Sequence, residues 1–124
     1  PSTSGTRVVS EEASATTIQM LESVVTGGWL SDVLTVPGYR IAAKTGTAEV
    51  AAEGVYTNDT IVSVAGIAPA DNPEYVVIVT YVKPKTIKSS AAAAPTFTKI
   101  VKQLLKTYRV PPSKGPAPGF PTTW

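Results

Sequence analysis

The stretch GYRIAAKTGTAEV, residues 38–50, sets one lysine inside an otherwise apolar run and follows it at once with Thr-Gly-Thr. Tyr39 to Ala48 reads as a β-strand, broken from what precedes it by Pro37-Gly38. In a strand, side chains alternate, so Lys44 points to one face and Thr45 and Thr47 to the other. A ligand touching all three must lie along the strand's edge, where unpaired backbone N–H and C=O groups can also hold an extended peptide. Gly46 lacks a side chain and so permits close approach of a ligand or another backbone. A cation, two hydroxyls and free amides in a row suit an acidic or peptide ligand.

The neighbouring segments build a sheet around that strand. Thr60 to Ala68 and Glu74 to Val82 are rich in Val, Ile, Thr and Tyr, and the turn-forming Pro69-Ala70-Asp71-Asn72-Pro73 joins them as a hairpin. Upstream, Ser10 is a good N-cap, Glu11 and Glu12 follow where the helix dipole favours carboxylates, and Gly27-Gly28 is a stop, which predicts a helix over 10–26. Asp32 to Val36 is short and fits no single element. Downstream, Phe97, Ile100, Val101, Leu104, Leu105 and Tyr108 recur at helical spacing, with Pro95 suited to the first turn.

The order is helix, three strands in an antiparallel meander, helix. This is an α+β arrangement whose sheet can be covered on one face by both helices. The other face needs a cover too, because Ile61, Val62, Val64 and Val76 to Val79 are apolar almost without alternation. The chain therefore reads as part of a larger domain, with residues 1–110 in the domain and 111–124 as a Pro/Gly-rich tail. Phe120 or Trp124 is expected to dock that tail.

Composition narrows the chemistry. The chain has 124 residues, net charge +2, no cysteine and no histidine. Without cysteine there are no disulfides, thiolate nucleophiles or zinc–thiolate sites; without histidine a Ser-His-Asp triad is impossible within the chain. Acid–base work must fall to lysine, carboxylate or tyrosine. The lysines are scattered, which argues against a nucleic-acid face. Asp32, Asp59 and Asp71 read as turn and cap residues, and no metal or cofactor is expected. No apolar run approaches the roughly 18 residues of a membrane helix. The chain opens on Pro1 with no basic and apolar leader pattern, so a signal peptide is not expected within it.

Lys44-Thr45-Gly46-Thr47-Ala48 resembles the lysine-threonine-glycine motif of penicillin-binding proteins and serine β-lactamases. The resemblance extends through RVVSEEASATTIQMLESVV (7–25), VPGYRIAAKTGTAE (36–49), VSVAGIAPADNPEYVVIVTYVKP (62–84) and AAAAPTFTKIVKQLL (91–105). In that order these segments are similar to the end of a class B penicillin-binding protein transpeptidase domain. The resemblance implies acyl transfer on peptidoglycan stem peptides, with β-lactams as substrate mimics. It assigns Lys44 to the catalytic hydrogen-bond network, Thr45 and Thr47 to substrate carboxylate binding with Gly46 between them, and the Thr47 N–H to the oxyanion hole. Implied partners are the remainder of the same domain, stem peptides, β-lactams and the cell-wall synthesis machinery. The implied location is the outer face of a bacterial cytoplasmic membrane, anchored by a segment upstream of this chain.

Two features depart from the family pattern. Glu49 stands where a glutamine is common, placing a negative charge near an anion site. The Ser-x-x-Lys nucleophile motif and the Ser-x-Asn motif are missing. One spacing match, Thr96 to Lys99, begins with threonine on the C-terminal helix. The chain alone is thus expected to be inactive.

Two rivals remain. Gly38 to Thr45 differs from the Walker A phosphate-binding pattern only at Ala43, but that reading requires a helix beginning near Lys44. The other is a non-catalytic interaction module, with the proline-rich tail as ligand and Trp29 and Tyr56 lining a groove.

Overall fold

A computed structural model describes residues 5–121. Helix α1, Glu11–Gly27, starts where Ser10 Oγ accepts the Ala13 N–H at 3.1 Å and ends where Gly28 N–H returns to Val24 O at 3.1 Å. The ambiguous segment resolves into a single helical turn, α2, Ser31–Leu34. Val36-Pro37-Gly38-Tyr39 then turns the chain. Tyr39 N–H donates to Val36 O at 3.1 Å, with proline preset at the second position and Gly38 at φ +82° at the third. The strand consequently begins three residues later than its sequence suggests.

Strands β1 (Ala42–Ala52), β2 (Val55–Ala68) and β3 (Tyr75–Val82) form one antiparallel sheet in the order β1-β2-β3. The meander is as expected, but β1 and β2 are longer, joined by a hairpin turn at Glu53-Gly54. Both turn residues have positive φ (51° and 82°), the handedness that matches strand twist in a two-residue loop. The extension escapes sequence reading because Glu49 to Asp59 scatters Val50, Val55 and Tyr56 among small and polar residues, without apolar alternation. A bulge interrupts it: Glu49 pairs Thr60 and Ala51 pairs Tyr56, so Val50 faces three β2 residues. Thr57 Oγ1–H bridges to Val50 O at 2.8 Å, and Lys83 pairs Asp59 at 3.0 Å.

Helix α3, Ala94–Thr107, covers one sheet face. Phe97, Val101 and Leu105 are buried there with Ala43, Val64, Val77 and Val79. Gly66 is required for this contact. A Cβ on it would sit 2.5 Å from Phe97 Cζ and 2.7 Å from Ala42 O, so only glycine lets the ring lie on the strand.

The two helices do not share a face as the sequence reading supposed. Ile67 alternates with Gly66 and Ala68, and it lines a groove with Val9, Ala13, Ile18 and Leu21 of α1 and its approach. Helix α1 therefore packs at β1 and reaches the side opposite α3. Its stripe is interrupted by threonines, and only Glu22 and Val25 are fully buried. The rest of that opposite face is open: Val76, Ile78 and Val82 remain 66–74% exposed. This is the uncovered apolar surface that the strand composition implied.

Candidate active site

Strand β1 pairs only with β2, so its outer edge has no strand partner among the described residues. Register places Lys44 beside Ala65 and Ile78, Thr45 beside Val64 and Val79, Gly46 beside Ser63, and Thr47 beside Val62. Cross-strand partners share a face. Lys44 and Gly46 therefore belong to the uncovered face, and Thr45 and Thr47 to the face that carries α3. The split between lysine and hydroxyls is the one alternation requires. Burial changes abruptly here: Ala42 and Ala43 are fully buried, Lys44, Gly46 and Thr47 are exposed, and Thr45 is intermediate.

Lys44 Nζ donates to Thr45 O at 3.0 Å and makes no ion pair among the described residues. A Cβ on Gly46 would meet nothing within 4 Å. Unlike Gly66, Gly46 has no packing reason among the described residues, and its φ is not in the left-handed region. The space over it is open to something from outside. Glu49 is exposed, two residues beyond Thr47 and on the same side of β1, which keeps its charge within reach of the hydroxyls.

Residues 44–52 are strand, so the helix that the phosphate-loop reading requires is not there. That reading is set aside. Thr96, a spacing match for a nucleophile, is engaged by Tyr81, Oγ1 to OH at 2.6 Å, while Lys99 is exposed. No group of three metal-ligating side chains occurs among the described residues. Trp29 and Tyr56 are mostly exposed. Asp59 pairs with Lys83 beside the bulge, and Asp71, expected as a turn residue, accepts hydrogen bonds from the distant Ser113 and Lys114 of the tail.

Two features that sequence reading missed hold β1 in place. Arg40, just before the strand, forms a bidentate pair with Glu22 of α1, both contacts at 2.7 Å; the Glu22 side chain is 2% exposed. The hydrogen bonds that Arg40 donates to Glu22 raise the Arg40 pKa, opposed in part by burial. Nothing local signals this pair, since the partners are 18 residues apart and Glu22 sits in an ordinary helical pattern. The second feature is the tail. Ser113 N–H donates to Gly38 O (3.0 Å), and Ser113 Oγ accepts Arg40 N–H (2.8 Å) while donating to Asp71 Oδ1 (2.6 Å). Lys114 N–H donates to Asp71 Oδ2 at 3.1 Å. Burial works against the Asp71 charge, but these hydrogen bonds and the Arg40 charge outweigh it and hold the carboxyl below its ordinary range. Ser113 and the Lys114 N–H thus tie the tail to the domain by hydrogen bonds. Phe120 is half-buried, and Trp124 lies outside the described residues.

The sequence model described as "Penicillin binding protein transpeptidase domain" matches residues 1–102. The chain is 37% identical over 115 residues to the peptidoglycan D,D-transpeptidase FtsI of Escherichia coli, covering 90% of this chain and 20% of that protein. It is 42% identical over 111 residues to the stage V sporulation protein D of Bacillus subtilis, covering 87% and 17%. It thus spans about a fifth of the length of these relatives. Among solved structures, a peptidoglycan synthetase from Bifidobacterium adolescentis superposes with TM-score 0.84 at 32% identity, over all of this chain and 23% of that one. Penicillin-binding protein 3 of Mycobacterium tuberculosis, complexed with ampicillin, superposes with TM-score 0.77 at 37% identity, over 90% and 27%. Motif, topology and these likenesses agree: the chain belongs to the penicillin-binding protein transpeptidase domain family.

Proposed function

We propose that this chain supplies one wall of the active site of a peptidoglycan D,D-transpeptidase whose nucleophile lies outside it. The observation that carries the reading is the Lys44-Thr45-Gly46-Thr47 run, exposed but for the half-buried Thr45, on a strand edge that is unpaired among the described residues and borders a sheet face they leave open.

In the reaction, a serine of the longer protein attacks the penultimate D-alanine carbonyl of a stem peptide. The acyl–enzyme forms as the terminal D-alanine leaves with a proton, and an acceptor amine then displaces the serine to form the cross-link. Lys44, unpaired and on the open face, supplies positive potential to the serine's hydrogen-bond network. The Thr45 and Thr47 hydroxyls bind the substrate carboxylate from one side of the strand. The Thr47 N–H acts as an oxyanion donor, and such a donor is worth about 3 kcal/mol in kcat. A β-lactam presents the same carboxylate and carbonyl and is trapped as the acyl–enzyme. Structures of the Mycobacterium tuberculosis relative with ampicillin and with aztreonam support this reading.

The partners that follow are the remainder of the domain, stem peptides, β-lactams and the cell-wall synthesis machinery. The working location is the outer face of a bacterial cytoplasmic membrane. Among the described residues no helix is long and apolar enough to cross a membrane, so anchoring is assigned to a segment outside this chain.

Release of D-alanine from a D-Ala-D-Ala pentapeptide by the longer protein tests the proposal. Thr45→Val and Lys44→Met are expected to lower kcat/KM by about a hundredfold or more without unfolding the domain, since Lys44 is exposed and valine nearly matches threonine in shape at the half-buried position 45. Rates within twofold of the parent would remove the assignment.

A further inference from the structure

We propose that Ser113 is a positioning residue for the strand that carries Lys44–Thr47, clasping its approach segment to the turn after β2. This inference rests on the function proposed above. The clasp is a closed ring of hydrogen bonds: Gly38 O from Ser113 N–H, Ser113 Oγ from Arg40 N–H, Asp71 Oδ1 from Ser113 Oγ–H, and Asp71 Oδ2 from Lys114 N–H. Arg40 O closes a further link by accepting Ala70 N–H at 2.8 Å. Tyr39 OH donates to Val110 O at 2.7 Å on the flank.

Val36 and Ile41 anchor this segment in the core, and on the tail side these hydrogen bonds hold it. A cavity of about 410 Å³, lined by Val25, Thr26, Tyr39, Ile41, Pro116 and Ala117 among others, lies between the tail, the end of α1 and residues 35–41. Arg40 is held by its guanidinium on Glu22, its N–H on Ser113 and its carbonyl on Ala70, and Lys44 follows four residues on. Reactions that depend on alignment lose rate steeply when a reacting wall shifts, about a hundredfold for 1 Å. Removing one hydroxyl here leaves the part-buried Arg40 N–H without its partner and gives the exposed Asp71 oxygen over to water. The side chain that bridges the two segments is then gone, and β1 can shift at its start.

The test compares variants of the longer protein by the second-order rate constant for acylation with a fluorescent penicillin, alongside thermal melting. Ser113→Ala is expected to slow acylation about five- to tenfold at a temperature where every variant is folded, and Ser113→Thr, which keeps the hydroxyl, to restore most of the rate. Val101→Ala, a core truncation in α3, is the control for lost stability, and its acylation should stay within twofold of the parent whatever its melting shift. Unchanged acylation in Ser113→Ala, or an equal loss in Val101→Ala, overturns the inference and leaves the proposed function standing. Failure of the parent protein to label overturns both.

Discussion

Replacing Glu22 with glutamine removes one charge from the pair that ties α1 to the start of β1 while keeping the side chain's size. The two contacts at 2.7 Å and the 2% exposure of the Glu22 side chain make this a desolvated, bidentate ion pair, with Arg40 at 19%. Breaking a buried pair by removing one partner costs about 3–5 kcal/mol, and the partial exposure of Arg40 puts the expectation at the lower end, about 3 kcal/mol. For a transpeptidase domain larger than this chain, that corresponds to a fall in Tm of about 6–12 °C. Calorimetry or a thermal fluorescence scan on the domain reads it directly. A double variant, Glu22→Met with Arg40→Met, is expected to recover most of the loss, because an apolar pair of similar volume avoids the desolvation of a lone charge. A loss below about 1 kcal/mol in Glu22→Gln, or a double variant worse than the sum of the singles, would refute the reasoning.

Two glycines separate packing from function. Gly66→Ala forces a Cβ against Phe97 and the Ala42 carbonyl and should cost about 1–3 kcal/mol in urea unfolding. Gly46→Ala meets nothing within 4 Å in this chain, so its stability should stay within about 0.5 kcal/mol while penicillin acylation falls. The tail clasp should loosen in acid. The Asp71 carboxyl titrates below its ordinary range in the folded protein, so its contribution is fully present above about pH 4 and fades as pH drops through the depressed value. Hydrogen exchange at the Lys114 amide should accelerate, beyond its intrinsic pH dependence, in that acidic window, and Asp71→Asn should abolish the extra change.

How much of this was legible in the sequence depends on whether the signal was local. The α1 cap, the hairpin after β2, the amphipathic α3 and the strand through Lys44 announce themselves through capping chemistry, turn residues and periodicity. The arm of β1 and β2 beyond Ala48 did not, because a two-stranded polar hairpin buries little and so carries no apolar alternation. Gly66 could have been flagged, since an isolated glycine in an apolar strand marks close approach. The Glu22–Arg40 pair and the Ser113–Asp71 clasp join residues 18 and 42 apart, and no local pattern encodes them. The proline-rich composition of the tail pointed toward an extended chain. It gave no hint that one serine would bind it to the approach to β1.

The candidate site shows the same division. Lysine, hydroxyls and glycine were readable as a motif and as an alternation. What the sequence could only imply, and the structure now locates, is the open apolar face beside Lys44 where Val76 and Ile78 await a cover.

The most direct measurement is covalent labelling with a fluorescent penicillin, followed by peptide mapping of the adduct. The account predicts that the longer protein is labelled on a serine outside residues 1–124 and that this 124-residue chain takes up no covalent label. An adduct on any residue of this chain, or an unlabelled longer protein, would contradict it.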